Sequence, residues 1–175
     1  MITFETCVSF VLGPTIEGGL VDDPRDPGGR TNMGVTQRRL DSARISHPDL
    51  GLPHKVDDLT RDQVVTIYRV CEWAWIQGSR LPSPLALLMF DSAINQGATK
   101  AVEFLQSALR VKRDGVLGPI TIAAARNADI KALCLEYASQ RGLHYATLDK
   151  LDDIYGLGWM RRLFACYTLA ISEAV

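Results

Sequence analysis

A charge imbalance is what the sequence most plainly lacks. It holds 19 Lys and Arg against 20 Asp and Glu, for a formal net charge of −1. A near-neutral chain has no field that would steer it to nucleic acid or to an anionic membrane. No Lys/Arg-rich run with interleaved aromatics argues otherwise, so no nucleic-acid partner is expected. Histidine is sparse: His47, His54 and His144 form no H-E-x-x-H or other ligand spacing. The four cysteines, Cys7, Cys71, Cys134 and Cys166, include no C-x-x-C pair, which argues against zinc. Cys7 and Cys71 fall in helix-like apolar patterns, where a free thiol behaves as a small hydrophobe. Four reduced thiols are expected, as in a reducing compartment. Neither a G-x-S-x-G elbow nor a P-loop occurs. No metal and no cofactor is implied. The opening stretch, MITFETCVSFVLG, has no basic n-region, and its apolar run stops at Gly13-Pro14. It reads as neither a signal peptide nor a membrane span, so synthesis in the cytoplasm without stable membrane insertion is expected.

What is present is an ordinary globular composition, 47% hydrophobic and 22% charged over 175 residues. At this length folding buries roughly 70% of the extended chain's surface, enough for a core without staples. A monomer is expected.

The pattern is helical almost throughout. Phe4, Val8, Val11 and Leu12 share one helical face, and Pro14 should end or kink that helix. Residues 37–46 make a short helix stopped by His47-Pro48. Thr60 with Gln63 reads as a capping box, and Leu59 with Val64 as a hydrophobic staple, for a helix through VVTIYRVCEW. Ser83-Pro84 starts another that stops at Gly97. Further helices are expected over about 99–110, from Pro119, from Asp129 to about Leu148, and over about 158–173 after the sequence GLGW. Nothing reads as a run of alternating strands. The loop over 20–36 has room for a small hairpin whose prolines confine it to an edge. The expected fold is mainly α, a helical bundle with a small irregular or β-hairpin acidic lobe.

That lobe, IEGGLVDDPRDPGGRTNMGVT, concentrates glycine, proline and carboxylates in one stretch. Glycine and proline hold a loop in shape, and its carboxylates with it. Glu17 and Asp26 supply two carboxylates, the minimum equipment for glycoside hydrolysis: one protonates the leaving oxygen, the other activates water or stabilises the charged transition state. Ile16 and Leu20 would shield Glu17 and raise its pKa, while Asp26 in a wetter loop stays ionised. The plainer alternative is that Asp22, Asp23 and Asp26 only close Asx turns.

The stretch EGGLVDDPRDPGGRTNMGVT resembles the signature of the lysozyme-like N-acetylmuramidases of glycoside hydrolase family one hundred and eight. The pattern E-G-G-aromatic-V-x-D-P-x-D-P-G-G-x-T-x-x-G-I-T is followed almost position by position, with Leu20 where an aromatic is usual. The resemblance continues through LTRDQVVTIYRVCEW, FDSAINQG, DGVLGPIT and RGLHY…GLGWMRR. It implies Glu17 as the general acid. The spacing Glu17-x8-Asp26-x5-Asn32 also parallels the Glu-x8-Asp-x5-Thr of phage-type lysozymes. Asp26 would then stabilise charge or activate water, and Thr31 or Asn32 would position the water. The chain departs from the family at Gly13-Pro14, which bears on how Glu17 is aimed.

Outside the lobe, Asp91 and Asn95 lie at i and i+4 on one helix face, beside Gln96. They either wall a cleft and bind sugar hydroxyls or acetamido groups, or they brace two helices. Tyr68 and Trp73 are candidates for stacking on sugar faces. The segment DGVLGPIT is similar to a turn in small helical peptidoglycan-binding modules. Residues 1–97 are accordingly expected to form the catalytic region and 98–175 a peptidoglycan-binding-like segment packed onto it. The resemblance implies a muramidase acting on bacterial peptidoglycan in the periplasm, of phage endolysin type. It would reach the wall through a membrane lesion made by a holin-type partner. A lytic transglycosylase and a non-catalytic peptidoglycan-binding module are the alternatives.

Overall fold

Helix starts in this chain are set by side chains that satisfy the first free N–H groups. The computed structural model describes residues 2–13, 16, 19–22 and 29–172, the side chains of 149–154 excepted. Thr3 caps α1 (Phe4–Val11) in a reciprocal box with Thr6. Thr36 accepts from Arg39 N at the start of α2 (Gln37–Ser46). Thr60 and Gln63 form the capping box of α3 (Arg61–Ile67), and Leu59 and Val64 of the staple are both buried. Asp129 caps α7 (Ile130–Tyr145) through Ala132 N. Between these lie α4 (Ser83–Gln96), α5 (Ala98–Ala108) and α6 (Pro119–Asn127), and α8 (Asp149–Ser172) closes the chain.

α4 is the axis of the core. Every residue from Pro84 to Ala93 is buried, and the helix packs against α1, α5, α7 and α8. Its N-cap is Pro82, one residue earlier than the Ser83 cap expected, so Pro84 stands in the first turn where its missing N–H costs nothing. Gly97, at φ +93°, ends α4 and turns the chain into α5. α8 departs further from expectation. It runs 24 residues, straight through Gly156 and Gly158. Glycine there costs about 1 kcal/mol of helix propensity per residue. Packing outweighs that cost: Tyr155 stacks on Trp159, which stacks on Tyr145 of α7.

The acidic lobe contributes the only strands among the described residues, a three-stranded antiparallel sheet of β1 (Leu20–Val21), β2 (Thr31–Asn32) and β3 (Val35–Thr36). Asn32 pairs with Val35 across a two-residue turn, Met33-Gly34, with φ of +49° and +77°. Positive φ at both positions is what a tight hairpin of right-twisting strands requires. Met33 is held there from both sides: its N–H donates to Gly19 O at 3.0 Å and its carbonyl accepts from Tyr68 Oη at 2.7 Å. The ends of the acidic loop are clamped as well, with Arg30 donating to Asp22 at 2.8 Å and Asp57 at 2.6 Å.

The DGVLGPIT turn is latched to α5 by the buried Gln106. Its Oε1 accepts from Asp114 N and Gly115 N, each at 2.9 Å, and its Nε2 donates to Asp114 Oδ1 at 2.7 Å. Gln77 adds a bond to Leu117 O at 2.7 Å. All four cysteines are free thiols, and Cys7, Cys134 and Cys166 are buried.

Candidate active site

A cleft of about 860 Å³ opens between two walls. One wall comes from the hairpin (Thr31, Gly34), α2 (Arg38, Arg39, Ser42) and the helical turn after α3 (Tyr68, Glu72, Trp75). The other comes from the end of α4 (Asn95, Gln96), the start of α5, the end of α7 (His144, Tyr145) and α8 (Tyr155, Trp159). Residues from both halves of the chain therefore face one groove.

Four expected site residues meet there: Thr31, Tyr68, Asn95 and Gln96. Three others lie elsewhere. The side chain of Asn32 is buried and donates to Val56 O at 2.8 Å, tying the hairpin to the turn over 56–58. Trp73 turns into the core, edge-on to Phe4 and Phe90, with Nε1 donating to Ser79 Oγ at 3.2 Å. Its ring lies against Gly78, where an added Cβ would sit 2.5 Å from the indole. Asp91 has no exposed surface: it accepts from Arg141 Nη1 at 2.6 Å and Arg162 Nε at 2.8 Å. Burial alone would raise its pKa, but the two guanidiniums outweigh that and hold it below the usual carboxylate range. Asp91 braces α4, α7 and α8 beneath the cleft floor and does not touch its surface. Glu17, Asp26 and Pro14 lie outside the described residues.

Sequence reasoning passed over Arg39 and Glu72, and among the neighbouring aromatics Tyr68, Trp73 and Trp75 it favoured Tyr68 and Trp73 over Trp75 for the substrate. The helix through 68–73 is locally π-helical, a widened turn that recurs at functional sites. Glu72 in that turn is 5% exposed and pairs with Arg39 Nη2 at 2.6 Å. Its Oε2 and the Nε of Arg39 have no hydrogen-bond partner among the described residues. Burial pushes the Glu72 carboxyl up to about 7, although the Arg39 charge and hydrogen bond pull it down. A carboxyl that exchanges its proton near neutrality, on a cleft wall, is suited to acid–base or hydrogen-bonding work. Trp75, 58% exposed, presents an indole to the same cleft. The spacing Tyr68, Glu72, Trp75 (i, i+4, i+7) on one helical face was the available signal.

The described residues hold no cluster of His, Cys, Asp and Glu suited to a metal. None of their helices is long and apolar enough to cross a membrane.

The model of the family described as Glycosyl hydrolase 108 matches residues 11–97 of this chain. That span runs from the end of α1 to the glycine that ends α4, and includes the whole first wall of the cleft. A solved structure of Brucella abortus SagA is similar over nearly all of both proteins. It has 31% sequence identity and a TM-score of 0.86, covering 97% of this chain and 94% of that one. No curated protein matches.

Proposed function

The chain belongs to the Glycosyl hydrolase 108 family and is a glycoside hydrolase with a mainly helical, lysozyme-like fold; from there we propose that it is an N-acetylmuramidase. Its substrate on this reading is peptidoglycan, and its bond the β-1,4 linkage between N-acetylmuramic acid and N-acetylglucosamine. The observation that carries the reading is the cleft: an open groove with an exposed indole, paired polar side chains and the acidic lobe's hairpin on its rim. A polymeric glycan needs such a groove, apolar for sugar faces and polar for hydroxyl and amide groups.

Glu17 protonates the leaving oxygen in this mechanism. Asp26 stabilises the oxocarbenium-like transition state or activates water, and Thr31, which lines the cleft, positions that water. The buried bond from Asn32 to Val56 O favours Thr31 over Asn32 for the last role. Asn95, Gln96 and Tyr68 contact the glycan, with Trp75 as the stacking platform. Residues 98–175 act with 1–97 as one catalytic unit, since α5, α7 and α8 line the second wall. In its biological setting the protein acts as a phage endolysin, passing to the wall through a holin-type membrane lesion.

Turbidity loss of purified peptidoglycan tests the assignment of Glu17. Wild type should clear the suspension, and Glu17→Gln, with an unchanged circular dichroism spectrum, should fall by at least about a hundredfold. Equal clearing by both would remove Glu17 from the acid role.

A further inference from the structure

The first wall of the cleft carries positive charge that its own carboxyl does not fully cancel. Arg38 is exposed on that wall, and its guanidinium makes no ion pair among the described residues. Arg39, the next residue of α2, has a side chain that is 35% exposed. Its Nη2 meets Glu72 Oε1 at 2.6 Å, while its Nη1 makes no hydrogen bond among the described residues. Glu72 is the one carboxyl among the described residues that line the cleft. Burial favours its protonated form, so near neutrality it offsets the Arg39 charge only in part. The whole chain carries −1, so the positive patch is local to the groove.

The backbone of an N-acetylated glycan is uncharged. The negative charges of peptidoglycan sit on its branches, at the carboxylates of the peptide stem and at the lactyl carboxylate wherever a stem is missing. A guanidinium fork matches a carboxylate in geometry as well as in charge. Glu72 already holds one edge of the Arg39 fork, so a substrate carboxylate and Glu72 draw on the same cation.

We infer that Arg38 and Arg39 form a subsite for a branch carboxylate of the substrate, with Glu72 as the internal carboxylate that competes for Arg39. This rests on the peptidoglycan reading and adds to it a charged group that is recognised and a control on that recognition. Glu72 is a positioning residue, since it acts through Arg39. Below about pH 7 it holds its proton and leaves Arg39 uncompensated; above that it ionises and neutralises Arg39. Substrate carboxylates, with ordinary values of about 4, stay ionised throughout. Around the π-helical turn, Glu5 of α1 is held low by Arg69, and Asp91 of α4 is held low, against its burial, by Arg162 and Arg141. Burial pushes the thiols of Cys7 and Cys71 up, and the Tyr68 hydroxyl donates to Met33 O. On the facing wall, burial and the charge of Lys100 lower His144. His144 is unaltered by a substitution at Glu72, so Glu72→Gln separates the two titrations.

Release of reducing ends by the full chain tests the inference on three substrates: intact peptidoglycan, the same polymer with its carboxyls amidated by carbodiimide and ammonia, and strands stripped of stems by an amidase. At pH 6 the wild-type KM should be at least about tenfold higher on the amidated polymer than on the intact one, with kcat within about twofold. At pH 8 the KM ratio should fall below about threefold. Arg38→Gln and Arg39→Gln should each bring the pH 6 ratio below about threefold, through a raised KM on the intact polymer. Lys131→Gln, which removes the same charge from an exposed position of α7 outside the cleft lining, should leave the ratio unchanged. Glu72→Gln should keep the ratio at about tenfold at both pH values. An arginine effect that persists on stripped strands assigns the lactyl carboxylate, and one that vanishes there assigns a stem carboxylate. A wild-type ratio near unity at pH 6, a ratio unmoved by both arginine substitutions, or the wild-type pH dependence retained in Glu72→Gln would overturn the inference. Cleavage of both polymers by wild type leaves the muramidase reading standing whichever way the ratio falls, whereas cleavage of neither removes that reading and the subsite with it.

Discussion

Glu72 shows how one residue's surroundings change its chemistry. The carboxyl has a 2.6 Å contact to Arg39 but an oxygen with no partner among the described residues, and the residue is 5% exposed. Its pKa in the folded chain is about 7 against 4.5 when free. The neutral form is therefore favoured by folding. The stability from this group is full below about pH 4.5 and is lost as the pH rises through 7, a change on the order of 3 kcal/mol. Urea unfolding of wild type and Glu72→Gln at pH 5 and pH 8 reads this directly. Wild type should lose stability relative to the variant on going to pH 8; a constant difference would place the carboxyl pKa near its free value. Glu72 also marks a limit of sequence reading. The spacing with Tyr68 and Trp75 gives the helical face Glu72 shares, but its depth is decided only by the tertiary partner, Arg39 of α2. Asp91 reverses the case. Its i, i+4 relation to Asn95 was legible, but its depth was not, because that is set by Arg141 and Arg162 some 50 and 71 residues further along the chain.

At the level of elements, what was legible was what is decided locally. The bounds of α2, the capping box at Thr60 and the glycine after α4 follow from side chains bonding to their own backbone. The hairpin was legible as a possibility, and its Met33-Gly34 turn was fixed by Tyr68 and Gly19, contacts from outside the loop. α8 was misread because GLGW carries two breakers, and the aromatic stack on α7 that overrides them is tertiary. The override leaves a measurable residue. Gly158 is exposed, helical, and has nothing within 4 Å of an added Cβ. Gly158→Ala should stabilise the protein by about 0.5–1 kcal/mol, seen as a higher thermal midpoint. An unchanged or lower midpoint would mean that the helix is interrupted there.

For the whole molecule, the cleft is a joint product of both halves of the chain. The family match ends at Gly97, yet His144, Tyr145, Tyr155 and Trp159 line the second wall. The buried Asp91 cluster ties that wall to the axis of the core, and the Gln106 latch ties down the turn that precedes it. The mainly helical fold and the lobe were foreseeable from periodicity and turn chemistry. The shape of the groove was not, since it depends on how α7 and α8 pack on α4. The central claim is that this groove cleaves the glycan after N-acetylmuramic acid by adding water. Mass spectrometry of the fragments released from purified peptidoglycan, after borohydride reduction, tests it most directly. The account predicts disaccharide muropeptides ending in reduced N-acetylmuramic acid. Fragments ending in reduced N-acetylglucosamine, or in a 1,6-anhydro sugar that resists reduction, would contradict it.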